Sequence, residues 1–292
     1  MKNSVHTAYV VLLVAVGVLG TVLPVLRGCS YYSTPLEERS FHPLYESLKP
    51  TGLIGHGYGI IGSLMILIGV GLYSSRKRLR VFAAVGKMKY YLEFHIFLCL
   101  LGPILIVYHT TFKIGGLVAV SFWSMTAVVF SGLIGRYFYV QIPKGIQGNE
   151  LSVGELTAEN KKLAEAMTTR FRLDADILRR IDAIASPPKD PVKMSMIETI
   201  NFFLMNDLTR RARLRTVFRR LEQQGYHRHA LGALRATATR RIVLTRRIAL
   251  LQQFRQIFHY WHVVHLPFSI IMVAILLIHV AVAIAFGYTW VW

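Results

Sequence analysis

Apolar positions in this chain gather in long blocks rather than in alternating or heptad stripes. Five blocks, 7–26, 53–74, 90–110, 117–138 and 258–286, contain Glu93 and Arg136 as their only charged residues. At 1.5 Å rise per residue, about 20 apolar residues cross the roughly 30 Å hydrocarbon core, so each block predicts a transmembrane helix. The first block lacks a small-residue cleavage site and is followed by further spans, so it is read as a retained helix rather than a signal peptide. Between the fourth and fifth blocks the pattern changes to shorter, amphipathic helical stretches. "SVGE" at 152–155 has capping-box spacing, with Ser152 as N-cap and Glu155 reaching back. "SPPKDP" at 186–191 breaks the helices. "MSMIETINFFLMNDLTRRARLRTVFRRLEQQG" then reads as one helix with a basic face, and 228–257 as a helix running directly into the fifth span.

The expected fold is therefore an all-α integral membrane protein with five transmembrane helices. Residues 1–138 carry helices one to four, 139–257 form a basic helical insertion, and 258–292 carry the fifth helix that completes the bundle. The insertion reads as a solvated basic hairpin, as a surface for anionic lipid headgroups, or as a docking site for a partner.

Composition agrees with this class and adds orientation. The 292 residues are 53% hydrophobic with a mean hydropathy of +0.43, too apolar for an ordinary soluble protein. The formal charge of +19 comes from 34 Lys+Arg against 15 Asp+Glu. Six Lys/Arg lie in 74–89 and 22 in 139–257, against three (Arg27, Arg39, Lys49) in 27–52 and Lys113 alone between helices three and four. The positive-inside rule then places the N-terminus and the insertion in the cytoplasm and the C-terminal "YTWVW" at the outer face. That asymmetry accounts for the basic charge through a membrane, with no nucleic-acid partner expected. Two cysteines, Cys29 and Cys99, provide no Cys-x-x-Cys-His for covalent haem, no iron–sulfur or zinc motif, and no disulfide framework. No Gly-x-Gly-x-x-Gly follows a strand, so no flavin or nicotinamide domain is expected.

The candidate chemistry lies in the histidines. Helix three carries His95 and His109, and helix five carries His265 and His279, each pair fourteen residues apart. Fourteen steps of 100° return to within about 40° of the start, so each pair shares a helix face, with a rise of about 21 Å between its members. Both helices run from inside to outside, which matches His95 with His265 and His109 with His279 by depth. Two stacked bis-histidine haems need this arrangement, one imidazole on either side of each iron. The competing use of four such imidazoles is a transition-metal or proton path, which calls for carboxylates, and Glu93 is the one acid in the spans.

The paired spacing resembles the ferric reductase-like transmembrane family and the haem-binding part of NADPH oxidases, and is similar to di-haem quinol-oxidising cytochromes b. The resemblance covers helices two to five. It implies a di-haem helical bundle in which His95, His265, His109 and His279 are the axial ligands of two haem b groups. Three departures stand out: the flavin and nicotinamide domain is missing, five spans replace the usual six, and a basic insertion separates helices four and five. Direct oxidation of NAD(P)H by this chain is therefore not expected.

The other polar positions have more open readings. His56, in "TGLIGHGYGIIG", is a candidate to line an outer quinol site, contact a propionate or ligate a third haem, with a hydrogen-bonded interfacial histidine as the plain alternative. His262, one turn before His265, competes with it as ligand or serves an inner propionate or quinone. Arg136 and Lys144 at the inner end of helix four, and Lys113 at the outer end of helix three, are candidate propionate partners, or ordinary snorkelling cations. His259 reads as structural, and His6, His42, His227 and His229 lie outside the spans.

The expected function is transmembrane electron transfer by a b-type cytochrome of the bacterial inner membrane, as the electron-transfer subunit of an oxidoreductase complex. Expected partners are a quinone, a cytoplasmic flavoprotein or iron–sulfur protein, and a periplasmic c-type cytochrome. The alternative is a histidine-lined transition-metal or proton transporter.

Overall fold

The computed structural model describes residues 2–79, 85–113, 115, 118–143, 152–223, 226 and 228–288. Among them every regular element is helical: α1 (Lys2–Ser33), α2 (Tyr45–Leu48), α3 (Leu53–Arg78), α4 (Met88–His109), α5 (Val118–Tyr139), α6 (Val153–Thr169), α7 (Ala175–Ala185), α8 (Met196–Gln223), α9 (Arg228–Ala249) and α10 (Leu251–Ala285). Five stretches, Ser4–Ser33, Tyr45–Arg78, Met88–His109, Ala119–Tyr139 and Leu251–Ala285, are long and apolar enough to cross a membrane. This is the composition of a multi-pass membrane protein. Most of the large side chains on α1, α5 and α10 are exposed, such as Val11, Phe130 and Ile278, as expected of faces that meet lipid.

The chain divides into two compact units, 1–133 with 263–292, and 134–262, so α5 and α10 each contribute to both. In the first unit the closest helix pair is α3 with α4. Gly55, Gly59, Gly62 and Gly69 of α3 are buried, at seam spacings of four and three residues, with Ile66 filling the remaining place. A Cβ on Gly62 would stand 2.7 Å from the carbonyl oxygen of Gly102, and one on Gly102 would stand 2.7 Å from that of Gly62. Only glycine lets two backbones approach this closely, as in small-residue seams between membrane helices.

α1 lies along the other side of α4 and runs in the same direction. His6 meets Glu93 at 3.0 Å, Gly20 faces Leu101, and the Tyr108 hydroxyl donates to the Thr21 carbonyl at 3.1 Å. Past the end of α4, Thr111 and Phe112 adopt positive φ values of 53° and 63°. The buried Arg39 guanidinium holds this turn, donating to the Thr111 carbonyl at 2.6 Å and to those of Tyr32 and Thr34. α5 and α10 run antiparallel, with Ser131 beside His265 and Met125 in one apolar cluster with Met272 and Leu276.

The second unit is a folded body with its own core, not the solvated hairpin that the basic composition allows. One cluster joins Met167, Ile181, Phe218, Leu221, Leu234 and Ile242; another joins Phe138, Leu156, Phe203, Leu250 and Phe254. Part of the basic charge is internal. Arg246 is 2% exposed, lies 3.9 Å over the Phe203 ring and donates to Asn206 and Asp207 at 2.9 and 2.8 Å. Arg241 grips both oxygens of Asp182 at 2.8 and 2.9 Å. The Ser152–Glu155 capping box forms as expected. The expected continuous helix from 228 into the last span is instead α9 and α10, parted at Leu250. The interruption is slight, because Leu250 N–H still donates to Arg246 and Phe254 N–H to Leu250.

Candidate functional site

All four paired histidines belong to the first unit, His95 and His109 on α4 and His265 and His279 on α10. The α4 pair is held by α3 in a single register. His95 Nδ1 lies 3.0 Å from the Gly69 carbonyl oxygen, and His109 Nδ1 lies 2.9 Å from that of Gly55. Residue numbers in the contacts 55/109, 62/102 and 69/95 all sum to 164, the signature of one antiparallel alignment, and the two histidines fall a fourteen-residue step apart. The glycine seam is therefore what seats both rings. A Cβ on Gly59 would come within 2.8 Å of the His109 ring, so that glycine also leaves the ring its place.

This pairing has a chemical consequence. A neutral imidazole that faces a carbonyl with Nδ1 carries its proton there and leaves the Nε2 lone pair available. His95 and His109 could thus each offer Nε2 to a metal with a carbonyl behind Nδ1, the kind of partner that orients metal-binding histidines. His265 faces a different kind of group: its Nδ1 lies 3.0 Å from Ser131 Oγ on α5, a hydroxyl that can donate or accept. The His95 ring also stacks on Tyr73, centroids 5.0 Å apart.

At the other end of α4, His109 is within electrostatic reach of both His56 and His279. The His56 and His109 ring centroids are 6.1 Å apart. Midway along each histidine pair the helices pack through apolar or small residues. Met272 is the midpoint of His265 and His279 in sequence and is buried with Ile66, Met125 and Leu276. Gly102 is the midpoint of His95 and His109 and faces Gly62.

The remaining candidates divide differently. His262 and Arg136 fall in the second unit. The His262 ring neighbours Trp261 and Phe258 at 5.6 and 6.2 Å, and the Arg136 guanidinium lies 5.5 Å over Tyr139. His259 is exposed beside Tyr260, and Lys113 is exposed after α4. Lys144 and His227 lie outside the described residues, as does the His229 side chain. His6, set aside on the sequence, is bound to Glu93, which Lys89 also approaches at 3.7 Å. Among the described residues no three His, Cys, Asp or Glu side chains converge as a bare-metal site. A haem pair differs in kind, since two imidazoles stand apart on either side of a macrocycle.

Sequence reasoning missed the residues packed against these histidines: Gly55, Gly69, Gly59 and Ser131. A signal was present for the glycines, because Gly55 and Gly69 repeat the fourteen-residue interval of the histidines. Comparison with protein-family models, curated proteins and solved structures returned no match.

Proposed function

We propose that this chain is a di-haem b-type membrane cytochrome, with His95 and His265 holding one haem and His109 and His279 the other. The reading is carried by the single α3–α4 register, which turns Nδ1 of both α4 histidines onto carbonyls fourteen residues apart and frees both Nε2 atoms. A lone structural histidine gives no reason for that repetition. The donor set fits haem b: four imidazoles on two helices, with no Cys-x-x-Cys-His for covalent attachment. When bound, haem iron supplies reversible one-electron transfer.

The chain's own residues do the rest. The carbonyls of Gly55 and Gly69 fix tautomer and ring orientation. The layer of Ile66, Met125, Met272 and Leu276 keeps water from the space between the levels. His56, beside His109, belongs to the outer level as a contact for a quinol or a propionate. The Lys/Arg distribution supports a cytoplasmic N-terminus and a periplasmic C-terminus in a bacterial inner membrane. It thereby assigns the His95/His265 level to the cytoplasmic side. The electron would pass between that side, from a quinone or a flavoprotein or iron–sulfur subunit, and a periplasmic acceptor such as a c-type cytochrome. The folded basic unit offers such a subunit a charged surface that speeds encounter.

Single His→Ala variants of the purified protein test the pairing by haem count and redox titration. His95→Ala and His265→Ala should lose or alter the same haem, and His109→Ala and His279→Ala the other. Four variants that each leave the haem content unchanged would reject the assignment.

A further inference from the structure

The histidines of the two levels are not held alike. His95 and His109 face backbone carbonyls, which substitution does not remove. His265 faces a side chain, with Ser131 Oγ 3.0 Å from its Nδ1 across the α5–α10 pair. Gly132, next to Ser131, lies against the same ring: a Cβ there would stand 3.8 Å from His265 Cε1, an ordinary contact.

We infer that Ser131 is a positioning residue for His265, orienting it as a ligand of its level and tuning the electron affinity of that level alone. The inference rests on the di-haem reading. Its physical basis is the tautomer. With Nε2 on iron, Nδ1 of His265 carries the proton and Ser131 Oγ, 3.0 Å away, turns to accept it, which gives the state that the Gly69 and Gly55 carbonyls favour in His95 and His109. His265 alone among the paired histidines owes this state to a hydroxyl. A proton donated from Nδ1 makes Nε2 a stronger donor to a metal, which favours the oxidised iron. His262 has aromatic neighbours, Trp261 and Phe258, at its ring.

The test uses full-length protein purified in detergent, as wild type, Ser131→Ala, Ser131→Thr and His262→Ala, with optical redox titration and low-temperature electron paramagnetic resonance. The expected result is that S131A raises the midpoint potential of one haem and changes its low-spin signal, while the other haem does not move. S131T should restore both properties, and H262A should shift neither potential. Loss of one haem in S131A, with the other unshifted and S131T restoring it, supports the same role. Unchanged potentials in S131A, a parallel shift of both haems, or a shift in H262A equal to that in S131A would overturn the inference. Wild-type protein without haem would instead remove the di-haem reading itself, so the two failures are separable.

Discussion

Gly59, Gly62 and Gly71 sit on one helix and have different neighbours, which makes the histidine seating testable by single methyl groups. A Cβ on Gly59 would come within 2.8–2.9 Å of three ring atoms of His109, so Gly59→Ala should disturb the His109/His279 level and spare the other. On Gly62 the obstacle is the Gly102 carbonyl at 2.7 Å. Gly62→Val should therefore push the two helices apart, cost about 1–3 kcal/mol as overpacking does, and disturb both levels. Gly71 has nothing within 4 Å, and Gly71→Ala should be neutral or stabilise by up to about 1 kcal/mol through helix propensity. Haem content per level and thermal unfolding of the three variants check this order. The histidines themselves were legible in the sequence because imidazoles are rare in hydrocarbon and these repeat an interval. Their partners were not, because a carbonyl acceptor has no residue type of its own, and Ser131 is one hydroxyl among several in the spans.

At the level of elements, α8 shows what the sequence conveyed and what it hid. The pattern Ser-x-x-Glu was recognised at 152–155, yet Ser195 and Glu198 form the same reciprocal pair, at 2.9 and 3.2 Å, just after the proline-rich break. Lys189 joins Glu198 at 2.8 Å, and these donors hold the Glu198 carboxyl at about 2, below its ordinary 4.5. A carboxyl depressed in the folded state stabilises fully above its unfolded pKa. That contribution declines as pH falls below about 4.5 and is gone once pH passes through about 2. An NMR titration of Glu198 should show the low midpoint, and Lys189→Ala should move it upward. Arg246 is the opposite kind of charge. Burial lowers its pKa against the pull of Asp207, and Arg246→Ala would take its guanidinium from Asn206 Oδ1 and from Asp207, which keeps Arg210 and the Tyr137 hydroxyl at 3.3 Å each. A loss of about 3 kcal/mol is expected for breaking such a pair, read by chemical unfolding. The parting of α9 from α10 at Leu250 had no sequence signal, since no Gly or Pro marks it and the backbone bonds continue through it.

Across the whole molecule, the five spans were legible because bilayer thickness writes itself into apolar length. The core of the second unit was not, since side chains such as Met167, Ile181 and Leu234 meet only through long-range packing of four helices. The basic surface that dominated the sequence reading conceals arginines, Arg241 and Arg246, that serve the interior. The first unit then carries the proposed chemistry: four imidazoles on two helices, a glycine seam that seats the α4 pair, and an apolar cluster that includes Met272, midway between the α10 pair. The claim that these levels hold haem is tested most directly by the visible spectrum and haem-to-protein ratio of the purified wild-type chain, oxidised and then reduced with dithionite. The account predicts an intense Soret band, a sharp α-band on reduction, and two non-covalent haems per chain. Haem-replete expression that yields folded protein with no Soret band would contradict it.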